Sequence, residues 1–478
     1  MALRTRGLAT AATRAATPKR TGVYCRGVGI NGALGTGNLE DSEKPLRAKG
    51  DLKERIVKVA AGYGHSGALD AKGGAYLFGR THDATLAVRL GRYAKSSPLM
   101  AWTMRHFGAE KSVDAPQPRE VVSFKVFGEP IEHEVEESSR KIGVKAPFEG
   151  FSTESMRDIV CGAGVTAFIS STTDTLFMLG SNMYGQCAIG MPDAYLWEPR
   201  TTVGLPANDD AVASVALGFR HGVLATKGTG KVYTWGKGQR GQLGNGLRGL
   251  EDDAFTMQPV NLPGRVVKVV AGMNSCGALL EDGRVFVWGK MQSLEIDTAK
   301  HQYEDQILPR EVTFKDDLGP IVDLWAGQQS FVAMAKGEGA KHTLHQWGML
   351  SDQEKSSAEA VRAQLDPHIP EDSGFWQTVE KNNALARTVV HPVQVLAPFE
   401  LVSDNEDGKV DVEVSVGHEG FVIVGKDLPT PFRWDWSLRP VPLHLHATAL
   451  DEFLGSHSVV SIAQGWQHTV LLAAEKEG

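Results

Sequence analysis

The sequence predicts an all-β protein, a seven-bladed β-propeller of four-stranded blades whose last blade is closed by the N-terminal strand. Three observations predict it. A glycine-centred phrase recurs seven times, a proline-marked strand precedes each recurrence, and a strand near the N-terminus supplies what the last unit lacks.

The phrase is clearest in residues 212–246, VASVALGFRHGVLAT followed by VYTWGKGQRGQLGNG. An apolar strand ends in glycine, three residues turn the chain, and a second apolar strand follows. A third strand then ends in an aromatic residue and glycine. The glycine ending the first strand falls at Gly62, Gly162, Gly218, Gly272, Gly327, Gly417 and Gly465. A period of ~40–55 residues indicates stacked repeat units or propeller blades. Third strands read Tyr76–Gly79, Phe177–Gly180, Tyr233–Gly236, Phe286–Gly289 and Leu344–Gly348, and a worn sixth reads Phe432–Asp435. The seventh unit stops at Leu472 without one, while Val23–Gly27 and Asn31–Gly35 near the N-terminus have the missing pattern. Pairing the two ends removes a sheet edge that would otherwise face water. Pro45, Pro118, Pro199, Pro259, Pro309, Pro392 and Pro440 precede the seven phrases. Proline donates no ladder hydrogen bond and so suits an outer strand.

Composition agrees. The 478 residues are 42% hydrophobic, with 53 glycines against 22 prolines, as many short strands and tight turns require. No apolar run reaches the ~18 residues of a transmembrane helix. Cys25, Cys161, Cys187 and Cys276 are scattered, without the clustered spacing of a zinc site or disulfide framework, and read as small core fillers.

Residues 1–20 differ from the rest: they are rich in Ala, Thr and Arg, and the first acidic residue is Glu40. Such a leader reads as a mitochondrial-type transit peptide, which leaves residues 21–475 as the propeller. The first 26 residues carry a formal charge of +6 and the remainder −13. So acidic a body repels phosphate backbones, which argues against bulk nucleic-acid binding.

The phrases V-x-V-A-x-G-x-x-H-x-x-x-L, V-Y-x-W-G and G-Q-L-G-x-G resemble the regulator of chromosome condensation repeat, over essentially residues 21–475. That resemblance implies a propeller acting on protein partners. Its founding member is a nuclear exchange factor for a GTPase that also docks on nucleosomes. Other relatives are mitochondrial proteins linked to ribosome maturation, respiratory-complex assembly or a membrane-fusion GTPase. Units one, five and six depart from the pattern by lacking G-Q-L-G, and no GTPase-contacting residue can be carried over by position.

Other patterns point to structure. Gly236-x-Gly238-x-x-Gly241 and Gly27-x-Gly29-x-x-Gly32 have dinucleotide-binding spacing, but neither opens a helix, so both read as turn glycines. His65, His221 and His468 occupy one repeat position that Ser275, Ser330 and Val165 fill elsewhere, which suits turn stabilisation better than catalysis. His444 and His446 lack a third ligand nearby. Trp235, Trp288 and Trp347 recur with the blade period and read as wedges between blades. No catalytic residue, cofactor, metal or small-molecule substrate is expected.

Two intervals are long and mark insertions at 80–155 and 349–391. Loops of this kind are where propellers recognise partners. In the first, Val122–Val126 alternates, Gly128-Glu129-Pro130 turns, and Ile131–Val135 alternates again, predicting a projecting hairpin. Its partner-binding candidates are Phe124, Val126, Phe127, Glu129, Glu132 and Glu134. In the second, residues 351–365 read as a short surface helix. The expected function is that of a mitochondrial scaffold or assembly factor, in the matrix or on the matrix face of the inner membrane, serving the ribosome or a respiratory complex. Alternatives are a guanine-nucleotide exchange factor for a small or mitochondrial GTPase and a nuclear chromatin-binding protein.

Overall fold

The computed structural model describes residues 21–476 apart from internal stretches, of which 83–114, 128–147 and 350–387 are the longest. The described chain is an all-β propeller. The first sheet runs Ile56–Ala61, His65–Asp70, Ala75–Gly79, Ala115–Val121. The same meander recurs from Met156–Cys161, Val212–Leu217, Val266–Ala271, Ile321–Ala326 and Val412–Val416. The closing sheet takes His457–Gln464 and His468–Glu475 from the C-terminal end and Thr21–Gly27 and Ser42–Arg47 from the N-terminal end. Neighbouring first strands touch in chain order, and His457–Gln464 touches Ile56–Ala61, so the circle is complete.

Closure follows the expected register. Thr21–Gly27 lies antiparallel to His468–Glu475, with Val23 opposite Leu472 and Tyr24 opposite Leu471. All seven marked prolines lie in the fourth strand of their sheets.

The core lies between sheets rather than at the axis, for each cluster of buried apolar residues joins two neighbours. Val23, Cys25 and Leu472 meet Ile56, Tyr76 and Phe78, and Leu176 and Met178 meet Leu224 and Trp235. Trp235 and Trp288 are wedges as expected, and both are fully buried. Trp235 Nε1 donates to the Gln186 carbonyl of the preceding sheet (2.8 Å), and Trp288 Nε1 donates to the Gln242 carbonyl (3.0 Å). The glutamine side chains close their own turns: Gln186 Oε1 accepts from Tyr184 N and Gln242 Oε1 from Arg240 N, both at 2.7 Å. The G-Q-L-G phrase is therefore a socket for the next tryptophan. Gly222 completes it, because a Cβ there would stand 2.2 Å from the Trp235 ring. Trp235→Ala should lower unfolding free energy by ~3–5 kcal/mol, measured by urea titration. Trp235→Phe, which leaves the Gln186 carbonyl unmet, should lose ~1–3 kcal/mol.

A further tie repeats around the axis. Lys58 pairs with Asp158 and Lys268 with Asp323 (2.5 Å), while Ser461 donates to Glu413 (2.9 Å), each joining equivalent positions of neighbouring first strands. The four cysteines are buried and form no disulfide, and burial raises the Cys161 thiol to about 12.

The structure corrects three expectations. Blades are not uniformly four-stranded: the sheet of Met156–Cys161 has six strands, and that of Ile321–Ala326 has five. The first arm of the hairpin expected at 122–135 is paired elsewhere, and 128–135 lie outside the described residues. Phe124–Phe127 pairs instead with Phe148–Ser152, antiparallel, and with Tyr195–Thr201, parallel. Alternation determines which residues share a face but not which strand lies alongside. The added pair thus widens a blade. A helix, Thr448–Ser456, leads into the closing sheet where none was expected, and its Phe453 packs edge-on to Tyr24 (4.9 Å). The helix expected at 351–365 and the His444/His446 pair lie outside the described residues.

Candidate partner-binding face

Strand direction divides the loops between two faces. Turns from first to second strand and from third to fourth strand emerge on one face. The other turns emerge opposite. On the first face, the backbone N–H groups of Gly62, Gly162, Gly218 and Gly465 each donate to the carbonyl three residues on, at His65, Val165, His221 and His468 (2.8–2.9 Å). The next residue reaches the neighbouring blade: Tyr63 N donates to Gly162 O (3.1 Å), Phe219 N to Met273 O (3.0 Å) and Trp466 N to Gly62 O (3.2 Å).

These tips place an aromatic cluster at the mouth of the axial channel. Tyr63 lies 5.1 Å from Trp466 and 5.3 Å from Phe219, ring to ring. Tyr63, Trp466, Gln328 and Gln464 line the cavity there together with the tip glycines. Burial raises the Tyr63 hydroxyl well above the usual phenol range, so it stays protonated.

Cations continue the cluster outward. The Arg220 guanidinium lies 5.0 Å from the Phe219 ring and 4.7 Å from the Tyr184 ring, and the Lys237 ammonium lies 4.6 Å from Tyr184. Such contacts stabilise a cation by ~0.5–2 kcal/mol while leaving it able to meet an anion. Burial, and then the Arg220 charge, lower the Lys237 pKa; burial, and then Arg240, lower that of Lys290. Asp253 near Lys237 is raised, chiefly by burial. Arg240 meets Asp305 at 3.0 Å. The strip offers flat apolar rings beside paired positive charge. Its chemistry suits the recognition of carboxylates rather than bond breaking.

The histidines stand behind this face. His65 Nε2 meets Thr166 Oγ1 and His468 Nε2 meets Ser66 Oγ, both at 2.9 Å and both between neighbouring sheets. Burial lowers His65 to about 3 and His221 and His468 to about 4. His65 and His468 are neutral interblade latches, in keeping with the structural role read from their repeat position, and His221 is buried at the same place in its own unit. The dinucleotide-like glycines are turns: Gly236 (φ 94°) and Gly241 (φ 73°) adopt left-handed backbone, and Gly241 N donates to Gly238 O (3.0 Å).

Of the residues expected to bind a partner, Phe124, Val126 and Phe127 lie in the added strand at the rim. Glu129, Glu132 and Glu134 fall outside the described residues. Sequence reading missed Tyr63, Phe219, Arg220 and Trp466. Their signal was the residue after the tip glycine, aromatic at three of the seven repeats.

The regulator of chromosome condensation (RCC1) repeat profile matches residues 22–69 and 229–279, and a second profile of that repeat matches 212–242. The human E3 ubiquitin-protein ligase HERC2 is 26% identical over 56% of this chain, which spans only 4% of that protein. The Arabidopsis thaliana ultraviolet-B receptor UVR8 is 24% identical over 76% of the chain and 69% of its own length. The Xenopus laevis regulator of chromosome condensation is 24% identical over 61% of this chain and 72% of its own. Among solved structures, Saccharomyces cerevisiae Prp20p, described with its binding to Gsp1p and histones, superposes with a TM-score of 0.60 at 15% identity, covering 96% of this chain and 93% of that one. Human WBSCR16 gives 0.60 at 17% identity, covering 96% and 100%. The matched profiles identify regulator of chromosome condensation repeats at residues 22–69 and 212–279, and the whole described chain is similar in fold to solved propellers of that kind.

Proposed function

We propose that this chain is a non-catalytic propeller of seven blades, counting the six-stranded and five-stranded sheets as one blade each. It acts through protein–protein contacts as a mitochondrial assembly or scaffold factor for the ribosome or a respiratory complex. The observation that carries the contact role is convergence on one face. The aromatic mouth, the Arg220 and Lys237 cations and the ends of the third strands Ala75–Gly79 and Lys341–Met349 all belong to it. The acid-free leader supports the mitochondrial address. The Arg220→Glu/Lys237→Glu variant should bind co-purifying mitochondrial proteins at least tenfold more weakly while still unfolding cooperatively, and Arg220→Gln/Lys237→Gln, which loses the same ring contacts without reversing charge, should bind more tightly than the glutamate variant. Equal binding by the variant removes this face from the proposal. Mitochondrial delivery that survives deletion of residues 1–20 removes the leader.

A second reading is guanine-nucleotide exchange on a GTPase, favoured by the likeness to Prp20p, whose described partner is Gsp1p. Its measurement is release of labelled GDP from mitochondrial and small GTPases. Acceleration that Arg220→Glu/Lys237→Glu abolishes supports exchange, and unaltered release leaves the scaffold role.

A further inference from the structure

Each of the seven first strands gives the residue before its tip glycine to the wall of the axial cavity. Six of these residues are apolar, among them Ala61, Leu217, Ala271 and Val416, and the seventh is Gln464. The Gln464 side chain lies over the neighbouring tip, its amide oxygen 3.2 Å from where a Cβ on Gly417 would stand. That oxygen is buried and meets no donor among the described residues. A buried acceptor left unmet is costly, so one polar side chain in an apolar ring calls for a donor from outside. The cavity measures about 120 Å³, and no residue lining it carries a charge. A closed apolar cavity of ~150 Å³ accepts benzene. Here Tyr63 and Trp466 extend the wall, and Trp466 is 37% exposed.

We propose that this cavity takes one tyrosine side chain of the partner protein. Its size admits a single six-membered ring, its walls are apolar, and Tyr63 and Trp466 offer edges and faces for aromatic packing. The phenol O–H then donates to Gln464 Oε1. A charged side chain is excluded, because nothing in the lining would pair with it. Leucine or phenylalanine would fill the space but leave the amide oxygen unmet, and an indole exceeds the volume. The proposal rests on the reading of this face as the one that meets a partner, and it names the residue that enters at the axis.

The test uses the full chain labelled with 5-fluorotryptophan, in which Trp466→Phe identifies the Trp466 fluorine resonance. p-Cresol and toluene, which differ by one hydroxyl, are titrated against that resonance. p-Cresol should bind about fivefold more tightly, the worth of one hydrogen bond. Gln464→Leu should abolish that preference. Ala271→Leu, which copies Leu217 at the equivalent position, should fill the cavity and weaken both ligands at least tenfold. N-acetyltyrosinamide should bind as p-cresol does, with N-acetylphenylalaninamide weaker by the same factor. Equal binding of p-cresol and toluene overturns the proposal, as does binding that Ala271→Leu leaves unchanged. Binding of p-cresol without N-acetyltyrosinamide assigns the cavity to a free phenol and overturns the partner side chain. These probes involve no partner, and Arg220→Glu/Lys237→Glu should leave their binding unaltered, so failure here is distinct from failure of the cationic face.

Discussion

A chain that begins at residue 29 should lose the single cooperative unfolding transition that a chain beginning at residue 21 retains. The missing residues include Thr21–Gly27, the third strand of the closing sheet, which pairs residue by residue with His468–Glu475. On its other side this strand pairs with Ser42–Arg47, so its loss detaches both N-terminal strands from the sheet. Val23, Tyr24 and Cys25 are all buried, and each side chain contributes roughly 1–3 kcal/mol through area removed from water. The total rivals the ~5–15 kcal/mol that holds an ordinary domain folded. Removal also exposes Val470 and Leu472 and opens the first sheet, whose Ile56, Tyr76 and Phe78 share that cluster. The measurement is calorimetry of the two chains with dye binding to exposed apolar surface. An unchanged transition at the same temperature would mean that the ring closes by some other route.

Acidification from pH 7 to pH 5 should destabilise the protein by several kcal/mol, before most carboxylates titrate. The cause is the three buried histidines, His65, His221 and His468, whose folded pKa values burial lowers to about 3, 4 and 4. Unfolded, each titrates near 6.5. Between these values the unfolded chain binds protons that the folded chain refuses, so stability falls as pH falls. Their contribution is complete above pH 6.5 and is lost by the time pH passes below the folded values. For an unfolded pKa near 6.5, the loss between pH 7 and pH 5 is ~2 kcal/mol per histidine and on the order of 6 in all. Urea titrations at the two pH values measure it, and His468→Gln should remove about a third of the difference. Stability that is level from pH 7 to pH 5 would mean that water or an anion reaches the imidazoles.

Legibility in the sequence followed the range of each interaction. Strand position, the unbroken apolar runs of the second and third strands, buried on both faces, and the turn glycines are local properties; the third-strand tryptophans were readable for the same reason. The proline strands could be located because a missing N–H has the same consequence wherever the chain goes. The socket made by Gln186 and Gln242 was visible only as a recurring phrase. Its use depends on a tryptophan 49 residues on in one case and 46 in the other. The channel ties from Lys58 and Lys268 were hidden similarly, each being a single charge inside an apolar strand whose partner lies a blade away.

The sequence by itself determined a repeating β-sheet propeller whose ends must meet, because each unit buries apolar faces it cannot cover alone. The arrangement in space set which strand Phe124–Phe127 lies against and which face gathers Tyr63, Phe219, Arg220 and Trp466. Those outcomes depend on distance between residues far apart in the chain. A pattern of alternating residues determines the faces of a strand, whereas its neighbours are chosen only when the whole ring has closed.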